Sequence, residues 1–559
     1  MKNKTTIILG LILLAGLFLR LWGINFGLPY LFHQDEPIVV NHAIAYGTGD
    51  LNPHFFIIPP LTSYIVFAFY ILYYLVLSLF GQIKGTEAFA LSFLKDPGMF
   101  YLIGRIVVGF VPSMISVYLT YRLALRLASA RAALFSALIM AVSFINVING
   151  HYLYTDNLLV MAVLLATLQF FRLAEKPVLK NYIFSGCLIG LAVAVKYNSA
   201  MLIAAFGLAH ILAVRDKKVK LFNPGLLLCL LFAILVFIIC NPFSLLDWRY
   251  FSTTGSRIRH AYIGWSHHFI YSLIEGIGIL PVFLGLAGLL LAVKKYPSKA
   301  LILISFPALF YLHLVFTSQV FSRYVLALVP FLAIGAGLAL FEVIFPKYKH
   351  SLIVILASSL VMLPTLIKAI KADLLFIAKD TRAESAEWIE KNIPPGTKIA
   401  MDHTFFRPQI KQSISQIREK EIILNQQSEL RELKNKKFNL LLKTLSDSQT
   451  YEIYYLVEGR EKAGMFLGFW PVIKNNLEEL AKCGIQYVVF DNMNSAQSMK
   501  DLRSAALGKF ILVAEFSPYY DNFYRLPYDT TETTCLTMAG RELFSRKKPG
   551  PFIQIYKIR

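Results

Sequence analysis

The sequence predicts a polytopic α-helical membrane protein with a soluble α/β domain at its C-terminal end. Three observations carry that expectation. Of 559 residues, 56% are hydrophobic and only 16% charged, against about 25% charged in ordinary soluble chains. The apolar residues fall in runs of about 20, the length that crosses a bilayer. Near residue 372 the texture changes, with frequent charges and short apolar runs from there on.

The first element, "MKNKTTIILGLILLAGLFLRLWG", begins like a signal peptide. Its apolar run is long and no small-residue cleavage site follows, so it reads as a first span that stays in place. Further spans are expected near 100–124, 132–150, 157–173, 182–197, 198–214, 225–241, 273–293, 299–317, 324–345 and 351–371. Together they make about 11 to 12 transmembrane helices.

A run at 61–80, "LTSYIVFAFYILYYLVLSLF", is equally apolar, but charge argues against its crossing. Take Lys2 and Lys4 as cytoplasmic. If 61–80 stays on one side, the turns with Arg126 and Arg131, Arg172 to Lys180, Arg215 to Lys220, Lys294 to Lys299, and Lys347 and Lys349 all fall inside, as the positive-inside rule asks. If it crosses, they all flip. The run therefore reads as lying in the outer leaflet, with Tyr64, Tyr70, Tyr73 and Tyr74 at the interface. The same reasoning accounts for the formal charge of +21 through topology and anionic lipid rather than nucleic acid.

This topology divides the chain into a membrane module, 1–371, with a first outer loop at 25–99, and an extracytoplasmic domain, 372–559. The protein would sit in the plasma (inner) membrane with its N-terminus cytoplasmic. In the domain, "TRAESAEWIEKNIPPGTKIAMD" (381–402) reads as helix, turn and strand. Strands are expected at 451–457, 485–491, 509–516 and 552–558, and a helix at 475–484. Cys187, Cys229 and Cys240 lie in spans and read as core residues. Cys483 and Cys535 would be free to pair in an exported domain.

Polar chemistry gathers in the outer loops. "FHQDEP" sets Asp35 beside Glu36, "HYLYTDN" holds His151 and Asp156, and "KYNS" holds Lys196 and Tyr197. The stretch 241–269 carries Asp247, Arg249, Arg257, Arg259, His260, His267 and His268, and "TSQVFSRY" supplies Arg323. No Walker loop, HExxH, nucleophile elbow or paired His/Cys ligand spacing is present. Carboxylates among cations suit one kind of chemistry. A carboxylate accepts the proton of an attacking hydroxyl or amine while the cations stabilise a phosphate leaving group. Each residue also has a structural reading. Asp35 before Glu36-Pro37 is a helix N-cap signal, and an ionised cap is compatible with a base. Glu36 suits a first helical turn. Asp156 would cap a span starting at Asn157. Lys196 and Arg323 would snorkel at span ends, and His267-His268 is a polar loop pair or a metal ligand pair. Arg105, inside an apolar span, favours function or a buried pair.

The motifs "HQDEP" and "GDLNPHFFIIPPL", with "IGRIVVGFVPSMISVYLTYRLALRL", "HYLYTDNLLV", "KYNSA", "NPFSLLD", "SRYVLALVPFLAIGAG" and "DTRAESAEWIEKNIPPGTKI", resemble polyprenyl-phosphate-dependent glycosyltransferases of the GT-C fold. These include the protein O-mannosyltransferases and aminoarabinose transferases. The resemblance covers most of residues 1–400. It implies inverting transfer of a sugar from an undecaprenyl- or dolichyl-phosphate carrier to a protein, lipid or glycan acceptor. Carried over, Asp35 is the base, Glu36 its neighbour and Asp156 the second acid. Arg105, Lys196, Arg323, His54 and Tyr197 line the donor site. This reading requires no cofactor. The chain lacks the MIR repeats of eukaryotic mannosyltransferases. Where the aminoarabinose enzymes have Glu-Lys-Pro-Pro, it has Phe56-Ile57-Ile58-Pro59-Pro60.

Two rivals stand beside this one. One is an oligosaccharyltransferase-like enzyme using a diphosphate donor and a divalent metal on Asp35, Glu36 and Asp156. The other is a transporter of lipid-linked glycans, which would usually show repeated halves; none is visible.

Overall fold

The computed structural model describes residues 2–254, 264–317, 321–347, 351–402, 406–425, 442–443, 450–457, 472–493, 497–521 and 540–559. Arg257, Arg259, His260, Lys349 and Cys535 lie outside the described residues. The chain divides into two compact units. The first comprises Met1–Ile24, Ile38–Tyr70 and Leu102–Asp373, and the second Asn25–Pro37, Ile71–Tyr101 and Leu374–Arg559.

The first unit is helical. Seven described helices are long and apolar enough to cross a membrane: Lys4–Leu21, Leu61–Leu79, Gly98–Ala124, Thr155–Glu175, Tyr197–Arg215, Pro297–Val315 and Ser322–Ile344. By length and apolarity the 61–79 helix thus equals the others. Two expected spans are broken. Ala130–Val142 and Phe144–Gly150 meet at 55°, and His268–Ile277 and Ile279–Lys295 at 106°. The second break falls at Gly278, whose φ of +97° suits a residue without a Cβ. Shorter apolar helices, Leu179–Val195 and Pro224–Cys240, complete the set with Ser351–Ile377. The protein is therefore a multi-pass membrane protein.

Leu179–Val195 and Pro224–Cys240 pack backbone to backbone. A Cβ at Gly186 would stand 2.2 Å from the Cys229 carbonyl oxygen, and one at Gly190 2.3 Å from that of Ala233. This glycine spacing of four is a close-approach motif of membrane helices. Cys229 is a core residue here, while Cys187 and Cys240 are only half-buried. Tyr70, expected at the interface, is buried.

The second unit contains a six-stranded sheet in the order β3-β2-β1-β4-β6-β5. Its strands are β1 (Lys398–Asp402), β2 (Glu452–Val457), β3 (Val472–Lys474), β4 (Tyr487–Asp491), β5 (Ile511–Phe516) and β6 (Ile553–Lys557). The first four run parallel, and β6 is antiparallel to both neighbours. The near-continuous apolar runs of β1, β2 and β4 are what a parallel sheet buried on both faces requires. One face holds Ala400, Leu456 and Val488, the other Ile399, Met401 and Val489. The helix Thr381–Asn392 starts on Asp380, whose side chain accepts from the Arg382 N–H, an N-cap. The four other expected strands and the 475–484 helix are present; β3 was not anticipated.

Candidate active site

In the first unit, Asp156, Lys196 and Arg323 come together from three elements. Asp156 lies in the first turn of Thr155–Glu175, where a carboxylate is favoured by the helix dipole. It does not cap that helix, which begins earlier than expected, with Tyr154 at the cap position. Lys196 follows the last residue of Leu179–Val195 in extended conformation. Its ammonium donates to Asp156 Oδ1 at 2.7 Å and sits 4.7 Å over the Tyr324 ring. Arg323 stands in the 3₁₀ segment Ser322–Leu328, with its Nε 3.7 Å from Asp156 Oδ2. Its guanidinium faces the rings of Phe321 at 4.2 Å and Tyr154 at 5.0 Å.

The three side chains are mostly sequestered, with Lys196 at 19% the most exposed. Together they carry one more positive than negative charge. Cations held on a carboxylate and on aromatic faces in a site of low dielectric are arranged to meet an anion. His268, expected in a loop, is helical and fully buried. Its Nδ1 lies 3.2 Å from Ser272 Oγ, and its ring stands 6.4 Å from that of Tyr324. The aromatic residues were visible in "HYLYTD" and "VFSRY"; what no sequence signal gave was their role as a wall for the cations.

Part of the 25–99 stretch belongs to this unit. Tyr197 Oη donates to the Phe56 carbonyl at 3.1 Å. Asn241 Oδ1 accepts the Leu61 N–H at 3.0 Å, and Asn52 Nδ2 donates to Asp247 at 2.9 Å. Three separate motifs, "GDLNPHFF", "KYNS" and "NPFSLLD", thus lie side by side. His54 adopts positive φ and pairs with Asp50 at 2.9 Å. Slight burial pushes the Asp50 carboxyl up, but hydrogen bonds from His54 and the Asn52 N–H outweigh it and hold the group below its ordinary value.

In the second unit, Asp35 occupies the position before the helix Glu36–Ala45, and Pro37 follows in its first turn. The Asp35 N–H donates to His33 Nδ1 at 3.2 Å, and Glu36 is fully buried. The segment is held by the domain. Gln409 accepts from the Leu31 N–H at 2.9 Å and donates to the Leu31 carbonyl at 2.6 Å. Arg382, fully buried, makes a two-pronged pair with Asp380 at 2.9 and 2.8 Å. It donates to the Phe32 carbonyl at 3.3 Å and lies 3.9 Å over the Phe32 ring. Only arginine supplies a planar fork and a stacking face together. "DTR" is thus an anchor for the stretch leading to Asp35, a role its sequence did not announce.

Arg105 is buried in the first unit and donates to the Ile24 carbonyl at 2.9 Å. A second arginine, Arg20, is enclosed completely. It donates to Ser113 Oγ at 2.7 Å and to the carbonyls of Gly16, Met140 and Ala141 at 2.7–3.0 Å. It therefore serves carbonyls freed where Ala130–Val142 breaks. His151, also enclosed, has both ring nitrogens against carbonyls of Val147 and Trp22, and lies 3.8 Å from Asp373. Among the described residues, no group of three His, Cys, Asp or Glu side chains is placed to hold a metal ion.

Residues 99–241 match the model of a family described as dolichyl-phosphate-mannose-protein mannosyltransferase. No curated protein sequence matches the chain. Among solved structures, ArnT from Cupriavidus metallidurans is similar at 13% identity, covering 92% of this chain and 96% of that one with a TM-score of 0.49. The same protein bound to undecaprenyl phosphate gives 0.47 at the same identity and coverage. The Archaeoglobus fulgidus oligosaccharyltransferase in complex with Zn and sulfate is 12% identical over 99% of this chain and 88% of that one, with a TM-score of 0.47.

Proposed function

We propose that this chain, a membrane glycosyltransferase that matches the mannosyltransferase family model over residues 99–241, moves a sugar from a polyprenyl-phosphate carrier to a protein, lipid or glycan acceptor by inverting displacement. The observation that carries the reading is the meeting of Lys196 and Arg323 on Asp156 beside aromatic faces. Such a group offers a lipid phosphate both charge and a dry surround.

In this reading Asp35 accepts the proton of the acceptor hydroxyl or amine as that atom attacks the anomeric carbon. The bond from the anomeric carbon to the phosphate oxygen breaks, and its electron pair leaves with the lipid phosphate. Lys196 and Arg323 offset the charge that develops there, while Asp156 fixes both cations in place. Glu36 borders Asp35, Tyr197 and His54 shape the loop beside the donor, and Arg105 supports the fold around it. In this reading the chemistry and the sheet domain face the extracytoplasmic side of the plasma membrane, and the 61–79 helix remains in that leaflet. Positive residues on one face support that orientation.

The test is Asp35→Asn in the purified full chain, with its melting temperature matched to wild type. Transfer from a polyprenyl-phosphate sugar should fall by about 10²–10⁴-fold, the usual contribution of a general base. Transfer at near wild-type rate would overturn the assignment of the base. Activity that persists after chelation of divalent ions supports this donor over the diphosphate, metal-requiring alternative, and activity lost on chelation reverses that preference.

A further inference from the structure

Away from Asp156, at the other end of the Thr155–Glu175 helix, lies a groove of about 660 Å³. Asp156 and Arg172 are sixteen residues apart on this helix, about 24 Å along its axis. That is most of the ~30 Å hydrocarbon thickness, so groove and candidate site belong to opposite leaflets.

The mouth of the groove is polar and cationic. Arg172 and Lys180 stand there with Gln169 and Asn181. Gln169 Nε2 donates to the Asn181 backbone and side-chain oxygens at 3.1 and 3.2 Å, and Asn181 Nδ2 donates to the Lys176 carbonyl at 2.7 Å. The amides are therefore fixed in place by one another. The nearby carboxylate of Glu175 is taken by Arg126 at 3.0 Å, and no acidic residue lines the groove among the described residues. The Lys180 ammonium lies 5.6 Å over the Phe184 ring.

Below the mouth the lining turns apolar, through Phe184, Cys187, Leu188 and Leu191 to Val236. From Lys180 to Leu191 the helix rises about 16 Å, close to the depth of one leaflet. The helix that carries Phe184 to Leu191 also packs closely on Pro224–Cys240 through Gly186 and Gly190, and that second helix contributes Val236 to the lining.

A charged mouth at the interface and an apolar slot one leaflet deep match a single kind of occupant. We propose that this groove binds an anionic diacyl phospholipid, its phosphate on Arg172 and Lys180 and one acyl chain along Phe184 to Leu191. Basic pockets between membrane helices are suited to such headgroups. The proposal rests on the membrane reading alone and is independent of sugar transfer.

Cys187 gives a local probe, since it is a half-buried free thiol in the groove wall. The detergent-solubilised full chain would be alkylated with N-ethylmaleimide and the Cys187 peptide quantified by mass spectrometry, with Cys483 as reference. Phosphatidylglycerol at ten times its dissociation constant should slow Cys187 labelling roughly tenfold by occupancy. Phosphatidylcholine at the same concentration should leave it nearly unchanged, and undecaprenyl phosphate should protect less than phosphatidylglycerol. In Arg172→Gln/Lys180→Gln with an unchanged melting temperature, protection by phosphatidylglycerol should vanish. Equal protection by phosphatidylcholine, better protection by undecaprenyl phosphate, no protection by any lipid, or undiminished protection in the variant would each overturn the proposal. The three lipids on the wild-type chain decide the matter should the double variant not fold.

Discussion

Two buried charge groups share the membrane unit, and they are built to different ends. Arg20, His151 and Asp373 are wholly enclosed, and Arg20 spends its donors on Ser113 and on carbonyls at a helix break. Asp156, Lys196 and Arg323 use the same residue types, but Lys196 keeps some exposure and the cations lean on aromatic faces. Burying ions costs several kcal/mol each unless partners compensate. In the first group the Arg20 donors are met by Ser113 and backbone carbonyls, and the structure is the product. In the second a partly accessible face is left on which an anion can complete the set.

The contrast can be broken, beginning with the largest effect. Arg20→Met should destabilise the chain by about 3–5 kcal/mol, since it leaves several buried hydrogen-bonding groups without partners, read as a lower melting temperature and poor yield. A variant with normal stability and lost transfer would exchange the roles assigned to the two groups. Lys196→Met should do the reverse, lowering kcat/KM by about 10²–10³-fold, as for loss of one transition-state donor, while the melting temperature moves little. Arg382→Lys keeps the charge but loses the fork over Phe32. It should destabilise the second unit by about 1.5–3 kcal/mol and lower kcat more than it changes KM.

The smallest effect concerns pH. Burial holds the His42 imidazole below its ordinary value, against the raising effect of hydrogen bonds it donates to the Ile38 and Pro53 carbonyls. The unfolded chain therefore takes up the proton first, and stability is lost as pH falls from about 6.5 toward the folded value, by at most about 1.4 kcal/mol per pH unit. Thermal unfolding at pH 7.5 and 5.5 should show this loss, and His42→Asn should reduce it.

Periodicity and charge made much of this molecule legible. The apolar runs are helices, and the alternation of helix and strand in 381–402 reappears as the Thr381–Asn392 helix and β1. Asp156, Lys196 and Arg323 stood out singly as candidates, and the ion pairs that join them cross separate elements. Other features were hidden for physical reasons. The breaks at Ser143 and Gly278 interrupt runs whose hydropathy is continuous, because one residue suffices to redirect the backbone. Nothing local marks Arg20, since its partners on other helices lie about 90 to 120 positions away. β3 is three residues long, too short to show an alternation. The anchoring of Phe32 by Arg382 spans 350 positions, a separation that no local pattern encodes.

That last contact bears on how the molecule can be taken apart. Residues 25–37 count structurally with residues 374–559. A chain ended after Asp373 would keep the seven long apolar helices found among the described residues, yet Leu31 and Phe32 would lose Gln409 and Arg382. Inactivity of such a truncated chain would then say nothing about acceptor recognition by the sheet domain, because the footing of Asp35 would have gone as well. Removing the domain while keeping that footing requires a chain that retains Asp380–Arg382 and supplies a substitute for Gln409. The line between the two units is therefore drawn by side chains rather than by the order of the sequence.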